Sequence, residues 1–225
     1  MNPSPEPIPL PARAWRSSAE TREHVLNVAE KLFYVEGIRA TGVDKVASRS
    51  GVAPTTLYRL FDSKDDLVAA YVERCSERYK AALSAAMSAA APSPRERILA
   101  VIDVFAEEVG SPTCRGCPFL IVLAEYPDPS SPPHVKAVAH KTWLRDLFHN
   151  LVGELALTTK LRDAASLADG LTLLADGMYG SVQALGPFGP AAYGRACAEA
   201  LSEAAGGNMR SRTRAGTPLR SKRSK

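Results

Sequence analysis

Between Pro54 and Phe61 stand Thr55, Thr56, Tyr58 and Arg59, three hydroxyls and a guanidinium on closely spaced residues. Hydroxyls donate to phosphate oxygens, and an arginine fork matches the major-groove edge of guanine. The chemistry these residues suit is contact with duplex DNA. A short helix from about Pro54 to Phe61 turns Leu57, Leu60 and Phe61 to one side and leaves the four polar residues on the other, where they can enter a major groove.

Other reactive groups lead less far. Cys114-Arg115-Gly116-Cys117 has the spacing of a redox or metal pair, but a thioredoxin-like motif belongs to a βαβ unit and a structural zinc needs two further ligands. His134 and His140 lie too far along the chain to argue for coordination and read as surface residues. No nucleophile elbow, phosphate loop or HExxH is found. The sequence assigns no catalytic residue, no metal ligand and no cofactor, and the chain reads as a non-enzyme.

Residues 41 to 61, TGVDKVASRSGVAPTTLYRLF, supply the scaffold for the polar helix. Thr41 is placed to cap a first short helix with Val43, Val46 and Ala47 on its apolar side, and Asp44, third in that helix, suits the positive end of the dipole. Gly51 falls where a left-handed residue turns the chain. Pro54 sits just inside the next helix, where a missing N–H costs nothing. Upstream, Ser17 and Glu20 form a capping box, and Val25, Val28, Ala29, Leu32 and Phe33 make a stripe closed by Gly37, a buttress for the pair. Downstream, Ser63 and Asp66 open a fourth helix that runs through Leu67, Tyr71 and Cys75 to about Ala91, a rod of about 40 Å.

GVDKVASRSGVAPTTLYRLFDSKDDL resembles the helix-turn-helix of the TetR (tetracycline-repressor-like) family of bacterial transcription regulators, a likeness extending over about residues 18 to 80. It rests on features that occur together: Phe33 and Gly37, Thr41, Val46-Ala47, Gly51-Val52, Leu57-Tyr58, Phe61, and Ser63-Lys64 leading into Leu67. The resemblance implies that Thr41, Thr56, Tyr58 and Lys64 touch DNA phosphates and that Pro54, Thr55 and Arg59 lie near base edges. Two departures stand out. Ala53 replaces the usual Ser or Thr cap of the recognition helix, and Leu60 replaces a frequent polar residue, often His; together they imply a weaker helix start and one fewer phosphate contact. The resemblance further implies a dimer built on two C-terminal helices, here residues 164 to 185 and 190 to 205, and an unidentified small-molecule effector that lowers operator affinity by changing the separation of the two reading heads.

Charge is uneven along the 225 residues. Residues 1 to 206 hold 21 Lys and Arg against 24 Asp and Glu, and the last 19 residues hold seven Arg and Lys with no acid, so the net of +4 reports the tail. Within 37 to 61, Arg39, Lys45, Arg49 and Arg59 face only Asp44, a modest electrostatic footprint for DNA. No apolar run approaches a membrane span and no signal peptide opens the chain, which points to the cytoplasm. Four cysteines are too few for a disulfide scaffold at this length.

Past Pro92 no strand pattern is sustained, so the expected fold is all-α. Ser93 to Glu96 cap a helix that Gly110 ends. A short apolar run follows at 119 to 124, then a loop at 126 to 132 and a long helix from about Pro133. Asp163 caps the next helix, Gly186-Pro187 breaks the chain, and a last helix runs from about Pro190 to Ala205. Phe105, Phe119, Tyr126, Trp143, Phe148, Met178 and Tyr179 are the candidates for lining an effector cavity between helices. Gly170, Leu174, Gly177, Gly180 and Ser181 are the candidates for the dimer face, because glycine inside a helix costs roughly 1 kcal/mol against alanine and close helix approach accounts for it. Packing within one subunit is the alternative account. The expected organisation is a disordered arm over 1–16, a DNA-binding domain over 17–80 with its helix-turn-helix at 42–61, an effector-binding and dimerisation domain over 81–206, and a disordered basic tail over 207–225. The function read from this is a homodimeric regulator, a repressor released from a palindromic operator by its effector. A helical enzyme or scaffold with a vestigial helix-turn-helix is the competing reading.

Overall fold

A computed structural model describes residues 17 to 206; the proline-rich arm and the basic tail lie outside the described residues. These residues form α1 (Ser18–Glu36), α2 (Val43–Ser50), α3 (Pro54–Leu60), α4 (Lys64–Ala89), α5 (Pro94–Gly110), α6 (Pro118–Glu125), α7 (Pro132–Thr158), α8 (Ala164–Leu185), a 3-10 turn at Pro190–Tyr193 and α9 (Gly194–Ala205), and no strand occurs among them. The fold is all-α. Side-chain caps set four of the starts: Ser17, Ser63, Ser93 and Asp163 each accept from the backbone N–H three residues on and so satisfy a donor that the helix itself leaves orphaned. The apolar run at 119 to 124 is the body of α6, which Pro118 opens.

Two local readings are corrected. Gly42, not Thr41, is the N-cap of α2, which places Asp44 second in the helix. Thr41 is fully buried and its hydroxyl donates to the Gly37 carbonyl at 2.8 Å. His140 is not a surface residue: it is buried in α7, stacked on Phe119 with ring centroids 3.6 Å apart, and Ser76 Oγ lies 2.9 Å from its Nδ1.

α4 is the common wall. It packs on α1 and also on α5, α6 and α7, while α7 and α8 lie against each other and α9 closes over α5 and α8. One apolar core runs from Val25 through Leu57, Val72, Ile102 and Phe148 to Ala198. The sequence boundary at 80/81 therefore falls inside an unbroken helix. Among the described residues no helix is long and apolar enough to cross a membrane.

Candidate nucleic-acid interface

α2 and α3 are joined through Gly51, whose φ of 65° and ψ of 26° are left-handed and open to glycine without the Cβ clash other residues meet. Its N–H and that of Val52 return to carbonyls of the last turn of α2, Val52 to Ala47 at 3.1 Å. These backbone bonds close the turn, and the His24 ring of α1 adds a contact to the Ser50 carbonyl at 3.1 Å. Ala53 heads α3 without a side-chain bond, and its carbonyl instead accepts from Thr56 and Leu57. Leu57 is the buried residue that seats α3, at 0% exposure, in a core shared with Phe33, Ile38, Val46, Ala47 and Phe61.

The opposite side of α3 is open. Pro54, Thr55, Tyr58 and Arg59 are exposed, and Thr56 and Lys64 are half-buried. Thr41 stands apart from this set because its side chain is inside. The cationic footprint is also smaller than the sequence count, since Lys45 pairs with Glu36; Arg39 keeps its charge while its Nε donates to the Glu125 carbonyl at 2.9 Å.

A family model for bacterial regulatory proteins of the tetR family matches residues 25–71. The HTH-type transcriptional regulator YjdC of Escherichia coli (strain K12) is 28% identical over 156 residues, 69% of this chain and 80% of that protein. The HTH-type transcriptional regulator BetI of Rhizobium meliloti (strain 1021) is 28% identical over 160 residues, 70% of this chain and 75% of its own length. SCO4454, a TetR-family transcriptional regulator from Streptomyces coelicolor with a crystal structure, is 30% identical, covers 84% of this chain and 97% of its own, and superposes with a TM-score of 0.78. The chain belongs to the TetR family. It is a DNA-binding transcriptional regulator, and the TetR-family relatives are named for regulation and not for an enzymatic activity.

In this TetR-family chain the reading head, α1 to α3, is tied to the body at several points. The Glu125 carboxylate at the end of α6 accepts from the backbone N–H groups of Ile38 and Arg39, at 3.1 and 2.5 Å. Tyr34 of α1 donates to the Gly116 carbonyl at 3.0 Å and accepts from Arg115 N–H at 2.8 Å. Gly116 has a φ of 104°, a conformation that favours glycine. From α4, Arg74 reaches Glu23 at 3.2 Å and Arg78 pairs with Glu30.

Tyr34 and the Arg78–Glu30 pair also border a cavity of about 260 Å³ between α1, α4 and α5. Tyr34, Tyr71, Cys75, Arg78, Tyr79 and Glu108 are among its walls. Burial raises the Tyr34 hydroxyl and the Cys75 thiol each to about 12, and pushes Tyr71 and Tyr79 further up, so all four are neutral near pH 7. Glu108 accepts from Tyr179 at 2.6 Å and from Tyr79.

None of the seven aromatic and methionine candidates lines this cavity. Phe105, Phe119, Phe148, Met178 and Tyr179 are buried core; Trp143 and Tyr126 are half-buried. Phe119 and Trp143 join His140 and Tyr79 in one ring cluster, and Tyr179 stands edge-on to Phe105 behind Glu108. Tyr126 packs toward the head, near Asp65 of α4. The aromatic candidates all belong to the body past Pro92, whereas the cavity takes Tyr34 from α1 and Tyr71 and Tyr79 from α4. Glu108, an acid at the end of α5, carried no signal of its own. The Cys114/Cys117 pair stays unbonded: Cys114 is at the cavity wall, and Cys117 is buried with its thiol raised to about 11, poor conditions for a reactive thiolate.

On α8, a Cβ added at Gly177 or Gly180 meets no atom within 4 Å, and one at Gly170 makes only an ordinary contact with Leu201, at 3.9 Å. Packing inside the subunit therefore does not require glycine at these positions. Gly177 and Gly180 are exposed beside Leu173, itself 73% exposed, while Leu174 and Ser181 are half-buried.

Proposed function

We propose that this regulator is a cytoplasmic repressor that binds a palindromic operator as a homodimer and is released by a small-molecule effector. The observation that carries the reading is the division of α3, with Leu57 wholly inside while Thr55, Tyr58 and Arg59 face solvent. Pro54, Thr55 and Arg59 are assigned to base edges, and Thr56, Tyr58 and Lys64 to phosphates. Thr41 is withdrawn as a side-chain contact because it is buried. The open stripe of Gly177 and Gly180 with Leu173 supports pairing of α8 with a second copy. The effector is assigned to the cavity between head and body, where an occupant touches α1 of the head and α4 and α5 of the body together. The domain division is retained in functional terms, 17–80 for reading and 81–206 for sensing and pairing, although α4 belongs to both.

The experiment is a mobility-shift titration with the DNA flanking the gene, comparing a palindrome with its half-site. Wild type should prefer the palindrome. Arg59→Ala should lose about 10- to 100-fold and relax its base preference, whereas Tyr58→Ala and Lys64→Ala should weaken all sequences alike. Equal affinity of the wild type for palindrome and half-site would refute the dimer reading, and unchanged base preference in Arg59→Ala would refute the reading face.

A further inference from the structure

We propose that the cavity between α1, α4 and α5 takes a small organic cation, an alkylammonium group seated against the Glu108 carboxylate; this rests on the effector reading above and names the class of ligand. Glu108 makes no ion pair among the described residues. Its two partners, Tyr79 and Tyr179, are phenols that donate to it without cancelling its charge. The acid on the facing wall, Glu30 of α1, differs in this respect. Glu30 is matched by Arg74 at 3.7 Å and by Arg78. Arg78 is in turn occupied, with its other nitrogen 3.5 Å from the Cys75 sulfur. A half-buried carboxylate held only by neutral donors keeps a desolvation cost that a cation offsets.

The remaining walls favour the same ligand. Tyr34, Tyr71 and Tyr79 bring three aromatic rings to one space, and a desolvated cation gains from an aromatic face. Lys31 also borders the cavity, but it is exposed, where water and salt screen its charge. A volume of about 260 Å³ lies just under the roughly 300–1,000 Å³ of drug-sized pockets, so the cation is small.

The test is calorimetric titration of the full-length protein with choline and 2-phenylethylammonium, against the uncharged 3,3-dimethyl-1-butanol and the anion phenylacetate. A cation should bind, with the neutral and anionic probes weaker by about tenfold or more. Glu108→Gln should reduce cation affinity by a similar factor while its unliganded operator affinity, which reports folding, stays at the wild-type value. Tyr34→Ala, on the facing helix, should also weaken the cation and provides a second reading if Glu108→Gln loses operator affinity. Binding of the neutral probe as tightly as its cation, no binding of either cation, or full cation affinity in Glu108→Gln or in Tyr34→Ala would overturn the proposal. Operator release separates it from the broader reading: cation binding that leaves DNA affinity unchanged refutes the effector role but keeps the site, and release by a neutral compound alone refutes the cation but keeps the effector.

Discussion

The head builds its reading surface from helices that are consecutive in sequence, α1 to α3, whereas the cavity below it is assembled from α1, α4, α5 and the loop leading to α6. In the head, local signals and the global fold agree: Gly51 turns, Pro54 starts and Leu57 anchors, all within a few residues. In the body, buried polar groups depend on partners far away in sequence, Ser76 with His140 and Glu108 with Tyr79 and Tyr179. Local consistency of this kind favours one fold for the head. The body's polar network ties distant segments together, and each of its bonds is worth more in a low dielectric and costs more when broken.

The largest expected effect breaks the head alone. Leu57→Ala should cost on the order of 2–5 kcal/mol, since a fully buried leucine leaves a cavity that a seven-residue helix closes poorly. Amide hydrogen exchange should lose protection across α2 and α3 while α5, α7 and α8 keep theirs. A uniform loss through α9 would mean that head and body unfold as one unit, and the contrast between them would fail.

The second effect belongs to the body and depends on pH. Burial, with Lys141 and Lys80 adding repulsion, lowers His140 from 6.5 to about 3. Between those values the unfolded chain binds a proton that the folded one refuses, so stability falls as pH drops through 6.5 and the loss is complete only near pH 3. From pH 6.5 to about pH 5 this amounts to on the order of 2 kcal/mol. His140→Phe, which keeps a ring against Phe119 but cannot take a proton, should be less stable at neutral pH and show a flatter urea midpoint from pH 7 to 5. A slope equal to wild type would place the acid sensitivity elsewhere.

Legibility followed the same division. Helix starts were readable wherever a serine or aspartate precedes its own acceptor-seeking N–H by three residues, as at Ser17, Ser63, Ser93 and Asp163. Thr41 misled because a threonine before a helix reads as a cap, while tertiary packing turned it inward onto Gly37. His140 misled because a lone histidine has no periodic signature of burial until Phe119 and Ser76 are seen beside it. The cavity was out of reach for a related reason: Tyr34 and Glu108 are 74 residues apart in the chain, and no spacing rule joins them.

The smallest expected effect tests the joint between the two regions. Glu125 ends α6 and its carboxylate accepts from two consecutive backbone N–H groups, those of Ile38 and Arg39, in the turn that leads from α1 to α2. A carboxylate has acceptors for both; a glutamine has one acceptor and must point its amide N–H₂ at the other donor. Glu125→Gln should therefore cost about 1 kcal/mol, the net worth of one such bond, and loosen the turn without emptying any core. Because the head is held in place partly through this clamp, operator affinity should fall about fivefold, the equivalent of that energy, and Glu125→Ala should fall further. The Leu57→Ala signature should be absent, with α2 and α3 still protected from exchange. If affinity is unchanged in both variants, the ties through Tyr34, Arg74 and Arg78 suffice to position the head, and α6 takes no part in setting it.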